Sequence, residues 1–319
     1  MSPFGKSAVF RARPGGSRRK IRTTAFRSRR AVSGSVYMQE KRILTVQDVS
    51  CVGQCSLTVA LPVLSACGVE TCVLPTAVLS THTAFSGFTF RDLTDDIRPI
   101  SDHWEKEGIG FDCIYTGYLG SRRQVDLVSE LKKFLVGGGK FVVDPVMADG
   151  GKLYPGFPDG FPGDMKRLAS QADYLLPNVT EACFLTGTEY REKGDEEFIG
   201  GLIAKLTSLC DGTVVLKGIS YEEGRIGIAV AGKGRKTRFY FHAREQASFH
   251  GTGDIFASVF TGAVVRGREE FSAAKLAADF TAKAIAVTEK EHWYGVRFEK
   301  VLPYLCEAFC SPADGEFRP

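Results

Sequence analysis

The sequence predicts a three-layer α/β/α fold in which helices cover a mostly parallel central sheet, and three observations point there. Short strand-like apolar runs alternate with longer runs of helical spacing. Polar residues recur just after the strand-like runs, where open parallel sheets collect ligands. The chain has 319 residues of ordinary globular composition, enough for one large α/β domain or two small ones with an ample core.

Taken in order, Arg42 to Gln47 reads as the first strand and runs into Asp48. A helical segment, Ser56 to Ala66, leads to a second strand at Glu70 to Leu74. The third, Phe111 to Thr116, is followed by Gly117-Tyr118 and a helix predicted over Ser121 to Val136. Lys140 to Asp144 reads as a buried strand ending in a carboxylate, which Pro145 keeps from continuing regularly. Strands at Tyr174 to Leu176, Thr213 to Lys217 and Arg225 to Val230 enclose helices at Thr180 to Thr186 and Glu196 to Leu209. Three helices, Asp254 to Arg266, Ser272 to Val287 and Arg297 to Phe309, close the chain.

The run Gly251-Thr252-Gly253-Asp254 places an acid on the first turn of an apolar helix behind a glycine pair. Glycines let backbone approach a ligand, and a helix start offers unpaired N–H groups to an anion. A carboxylate there repels phosphate unless it accepts a proton from an attacking hydroxyl; the alternative is a plain helix cap. Asp144 is open to two readings as well, turn residue or ligand. Asn178-x-x-Glu181 is either a capping box or part of a magnesium site, since hard cations take oxygen ligands. Gly137-Gly138-Gly139-Lys140 lacks the P-loop spacing and reads as a helix C-cap, and Gly232-Lys233-Gly234-Arg235 as a turn between strands. His82 reads as a packing residue, and Trp104 and Trp293 as core or interface residues.

Charge is concentrated at one end. Before Glu40 there are ten bases, from Lys6 to Arg30, and no acid; removing those ten from 41 bases leaves 31 against 37 acids, or about −6. Residues 1–37 are expected to be a disordered extension, with the domain spanning 38–319 from Met38. A transit peptide, a nucleic-acid-binding arm and an upstream segment outside the working protein compete for this extension, and the last is favoured. No apolar run is long enough to span a bilayer. Nine scattered cysteines suit a reducing, cytoplasmic setting without disulfide or zinc frameworks. Neither nucleic acid nor membrane is expected as a partner.

Six pieces in order resemble the ribokinase-like superfamily and, within it, the pyridoxal kinases: Val46-Gln47-Asp48 with Val52-Gly53, Leu79-Ser80-Thr81-His82-Thr83, Tyr115-Thr116-Gly117-Tyr118-Leu119-Gly120, Val143-Asp144-Pro145-Val146-Met147, Pro177-Asn178-Val179-Thr180-Glu181 and Gly251-Thr252-Gly253-Asp254. The resemblance runs from about Arg42 to about Arg268. It implies ATP-dependent phosphorylation of the 5′-hydroxyl of a B6 vitamer (pyridoxal, pyridoxamine or pyridoxine). Asp254 would be the catalytic base, with Gly251, Thr252 and Gly253 forming the anion hole. Asp144, Asn178, Glu181, Lys217 and Thr252 would hold ATP, and Asp144 and Glu181 magnesium. Asp48, Thr83 and Tyr118, with Asp254, would line the pyridine pocket. A homodimer and a monovalent cation are further implications.

The chain also departs from the pattern. Asp48 stands where many pyridoxal kinases have serine. Asp149 stands where a dual-specificity branch has a lid cysteine. Asp254 follows His250 and two glycines, where hydroxymethylpyrimidine kinases often carry cysteine. A hydroxymethylpyrimidine kinase and a noncatalytic B6-binding protein are the alternatives.

Overall fold

The computed structural model of the protein describes residues 41–309 apart from 246 and 248; the extension 1–37 and Met38 lie outside the described residues. In chain order the strands are β1 (Arg42–Ser50), β2 (Glu70–Leu79), β3 (Phe90–Asp92), β4 (Phe111–Thr116), β5 (Leu135–Val143), β6 (Ala148–Asp149), β7 (Lys152–Leu153), β8 (Tyr174–Leu175), β9 (Thr213–Ile219), β10 (Arg225–Gly232) and β11 (Arg238–Ala243). The helices are α1 (Leu57–Ala66), α2 (Thr94–Glu107), α3 (Arg122–Glu130), α4 (Phe161–Ala169), α5 (Val179–Thr186), α6 (Glu196–Leu209), α7 (Thr252–Val265), α8 (Glu270–Ala286) and α9 (Leu302–Phe309).

Nine strands form one sheet in the order β11-β10-β9-β8-β5-β4-β1-β2-β3, and β6 and β7 form a separate hairpin. The six strands from β9 to β2 are mutually parallel, and β3, β10 and β11 are antiparallel additions at the edges. Strand alternation sends β1 side chains to opposite faces: Leu44 and Val46 join a core under α3 to α6, and Ile43 joins a second core with α1, α7 and α8. Each fully buried Leu, Ile or Phe in these layers contributes about 1.5–3 kcal/mol.

Several predicted boundaries move. The helix expected over 121–136 ends at Glu130, passes through a 3-10 turn at Leu131–Phe134, and enters β5 at Leu135. Gly137 to Gly139 are therefore not a C-cap. Phe111 pairs with Leu135 and Cys113 with Lys140, so β5 spends five residues where β4 spends two, and the glycines absorb the excess. Gly137 and Gly138 adopt φ of 58° and 78°, which glycine tolerates without strain. Five elements have no counterpart among those expected: β3, α2, β6, β7 and α4; β11 is implied only as the strand after the Gly232 to Arg235 turn. Helix α2 carries Pro99 and a charged surface, yet Ile97, Ile100 and Trp104 form an apolar stripe that docks on the core. Trp104 is thus a half-buried residue packed against the core, whereas Trp293 is 52% exposed and lies tilted against Phe85. The Gly232 to Arg235 run is the turn between β10 and β11, as expected. Among the described residues no helix is long and apolar enough to cross a membrane. The eight described cysteines are all unpaired.

Candidate active site

Register aligns the carboxyl ends of the parallel strands. Val46 of β1 pairs with Thr116 of β4, Thr116 with Val143 of β5, and Val143 with Leu175 of β8. Asp48 and Tyr118 therefore lie two residues beyond the aligned row and Asp144 one. A bridge between Asn178 and Lys217 extends the row to β9. Helix α7 packs over this sheet beside α1 and brings Asp254 to the same end.

The start of α7 is shaped by two glycines for different reasons. Gly251, the N-cap, has φ 86°, and a Cβ on it would fall 1.9 Å from the Gln54 carbonyl oxygen. Gly253 has no such constraint: a Cβ there would meet nothing within 4 Å. A helical glycine costs roughly 0.8–1 kcal/mol relative to alanine. At Gly253 the return is open space above the helix's free N–H groups, the cradle an anion needs. No side chain caps this helix.

Asp254 sits in the first turn, and its proton affinity is pushed up to about 7, by burial first and then by Asp144 and Asp48, against the Ser56 amide and Lys217. Ser56 was not foreseen. It is the only described non-glycine residue with positive φ, at 50°, and it serves both acids, its amide facing Asp254 and its hydroxyl facing Asp48. Asp48 is 5% exposed, accepts from Ser50 Oγ at 3.1 Å, and is raised by burial despite these bonds. The Tyr118 hydroxyl is raised by burial and by Asp48 and Asp92. Its ring faces Phe157 at 5.4 Å. Asp48 and Tyr118 thus come within electrostatic reach of each other, whereas Thr83 is exposed.

A second cluster lies toward β9. Lys217 Nζ binds Asp144 Oδ1 at 2.8 Å; against the opposing effect of burial, Asp144 and Glu181 raise the lysine. Asn178 and Glu181 do form the reciprocal capping box: Glu181 N donates to Asn178 Oδ1 and Asn178 N to Glu181 Oε2, both at 2.8 Å. Met147 N donates to the remaining Glu181 oxygen at 3.3 Å. Burial and then Asp144 nevertheless push Glu181 up to about 8. Among the described residues no group of three His, Cys, Asp or Glu is arranged to hold a metal unaided. Three carboxylates, Asp144, Glu181 and Asp254, act on one lysine.

His82 is a packing residue. Nδ1 accepts from Ala84 N at 3.2 Å, and Nε2 lies 2.8 Å from the Tyr294 carbonyl. Asp149 is an exposed hairpin residue whose carboxylate accepts from Gly150 N.

The layered sheet with charged residues at its carboxyl edge, and a glycine-headed helix presenting an acid there, define a kinase of ribokinase-like fold. The chain matches the phosphomethylpyrimidine kinase family over residues 62–296 and belongs to it. A Bacteroides thetaiotaomicron protein assigned as a phosphomethylpyrimidine kinase, crystallised with pyridoxal, is 35% identical and superposes with a TM-score of 0.80, covering 84% of this chain and 96% of that one. A pyridoxal kinase from Lactobacillus plantarum is 30% identical with a TM-score of 0.78, covering 84% and 97%. A Rubrobacter xylanophilus pyridoxal kinase is 27% identical over 280 residues, 80% of this chain and 89% of that protein.

Proposed function

We propose that the protein is a pyridoxal kinase, transferring the terminal phosphoryl of ATP to the 5′-hydroxyl of pyridoxal, pyridoxamine or pyridoxine. The observation that carries this reading is Asp254: a carboxylate with proton affinity near 7, in the first turn of a helix whose amides are left free. Such a group takes a proton from an alcohol at neutral pH, while neighbouring N–H groups receive the charge that develops on the phosphoryl. Relatives described as pyridoxal kinases, and one structure containing pyridoxal, support the substrate class.

In this reading Asp48, Tyr118 and Thr83 contact the pyridine ring, and Gly251, Thr252 and Gly253 cradle the migrating phosphoryl. Lys217 orients the phosphates, and Asn178 fixes the start of α5 beside them. Asp144 and Glu181 would hold magnesium, directly or through water, and the ion would supply charge neutralisation at the phosphates. A homodimer and a monovalent-cation requirement belong to the same reading, open to sedimentation and to potassium titration. The test is ADP release across pyridoxal, pyridoxamine, pyridoxine and hydroxymethylpyrimidine. Turnover of the three vitamers with none on hydroxymethylpyrimidine is expected. Preference for hydroxymethylpyrimidine would transfer the chain to the other activity of this fold, and no turnover on any would leave a binding protein.

A further inference from the structure

Gln124, at the third position of α3, is 1% exposed, although a side-chain amide ordinarily faces water. Glutamine at this position commonly reaches back to the amide of the cap residue and closes the helix start. Here Ser121 caps the helix by accepting from Gln124 N at 3.3 Å, but the Gln124 side chain reaches one residue further: Gly120 N donates to Gln124 Oε1 at 2.7 Å. The bond is made to the loop after β4 and not to the helix. Gln124 Nε2 donates to the Thr76 carbonyl of β2 at 3.0 Å and to Thr94 Oγ1, at the start of α2, at 2.9 Å, and lies 3.5 Å from Asp92 Oδ1. One buried amide so joins three segments that are distant in the chain.

That loop carries Tyr118. Thr76 Oγ1 donates to the Tyr118 carbonyl at 3.3 Å, so β2 holds the loop directly as well as through Gln124. The backbone is thereby pinned at residues 118 and 120, on either side of the buried Leu119. The Tyr118 ring lies against the second pinned residue: a Cβ on Gly120 would fall 3.6 Å from both Cε1 and Oη of Tyr118, and 3.7 Å from Gln124 Oε1. The ring also meets Phe157 at 5.4 Å, and Phe157 stacks on Phe161 at 4.2 Å. At the near end of the loop a Cβ on Gly117 would fall 2.8 Å from the Gln47 side chain, so the loop is pressed against β1 there. A ring on a loop swings with its backbone, and this backbone is tied down by side chains that lie outside the site.

We propose that Gln124, with Thr76, is a positioning residue for the vitamer half of the site: the pair fixes the backbone at Tyr118 and Gly120 and so sets where the Tyr118 ring meets the pyridine. The proposal rests on Tyr118 lining that pocket, as in the function proposed above. The bonds of the two side chains run to β2, to the segment 92–94 and to the Tyr118 loop, whereas ATP is assigned to Asp144, Asn178, Glu181 and Lys217. The signature of the pair is therefore a loss of affinity for the vitamer alone.

The test is steady-state kinetics of the full chain, with ADP release followed against pyridoxal and against ATP, in Gln124→Met, Thr76→Val, Tyr118→Ala, Tyr118→Ala combined with Gln124→Met, and Val125→Ala. Gln124→Met keeps the side chain's length and loses its amide. KM for pyridoxal should rise about fivefold or more, while KM for ATP and kcat stay within about twofold. Thr76→Val removes one bond with little change of shape and should raise KM for pyridoxal about two- to threefold. Because Gln124 acts through the ring, the combined variant should have a pyridoxal KM within about twofold of Tyr118→Ala alone. Val125→Ala, which opens the core under the same helix, should lower thermal stability and leave both KM values in place. The proposal is overturned by equal rises in both KM values, by multiplied losses in the combined variant, by a rise in Val125→Ala that matches Gln124→Met, or by an unmoved pyridoxal KM in Gln124→Met and Thr76→Val. Should Gln124→Met not fold, Thr76→Val decides alone. An unmoved pyridoxal KM in Tyr118→Ala would instead overturn the placing of Tyr118 in the pocket, and the proposal with it, so the two failures are separable.

Discussion

Helices α5 and α7 both begin at the ligand end of the sheet, and both carry an acid at the third helical position, yet the two starts are built in opposite ways. At α5 the acid is Glu181, which folds back to accept from the Asn178 amide while Asn178 accepts from Glu181, so the start is closed by its own residues. At α7 the cap is a left-handed glycine without a side chain, and Asp254 turns instead toward the Ser56 amide of another element. One helix start spends its donors on the fold. The other keeps them available, and the protein accepts a flexible Gly253 and a strained Ser56 to do so.

The difference can be broken most sharply at Asp254. Asp254→Asn should lower kcat by roughly 10²-fold or more, as removal of a general base does, while nucleotide binding measured by calorimetry stays within a few-fold. If Asp254 is the base as proposed, the rate in the parent enzyme should fall as pH drops below about 7, because only the charged carboxylate accepts a proton. The same raised affinities bear on stability. Asp254 and Glu181 bind protons in the folded chain that they would have released when unfolded, so the ligand-free protein should lose stability as pH rises from about 4 through 7 and 8. Urea melts at several pH values would show it.

Gly253→Ala should do something rarer, stabilising the fold while harming the reaction. The methyl group meets no atom, so helix propensity alone predicts a gain of about 0.5–1 kcal/mol in denaturant melts. Obstructing the cradle should cost about tenfold or more in kcat. Asn178→Ala should show the reverse balance, with about 1 kcal/mol of stability lost through the cap and through its bond to the Ala148 carbonyl, and a smaller loss of turnover than in either α7 variant.

Much of this contrast was legible in the residues. The alternation of strands and helices, the acids after β1 and β5, and the glycine-headed helix all follow from local pattern, and the structure brings Asp48, Tyr118, Asp144, Lys217 and Asp254 to one end of the sheet. What escaped was set by packing. The triple glycine resembles a helix stop until pairing between Phe111 and Leu135 is known, and Pro99 argues against α2 until Trp104 is seen against Phe111 and Phe134. Nothing local marks Ser56 as left-handed, because α7 and Asp254 lie some two hundred positions away in the chain. The two readings of Asn178 and Glu181 could not be parted by spacing alone, since a capping box and a phosphate-side acid call for the same residues.

A crystal structure with a nonhydrolysable ATP analogue, magnesium and pyridoxal gives the distance on which the mechanism stands. The 5′-hydroxyl oxygen should lie within about 2.6–3.2 Å of an Asp254 carboxylate oxygen, or one water away, with the terminal phosphoryl over the amides of 251–253. A hydroxyl lying well beyond that reach, with its path to Asp254 filled by protein, would contradict the assignment of Asp254 as the base.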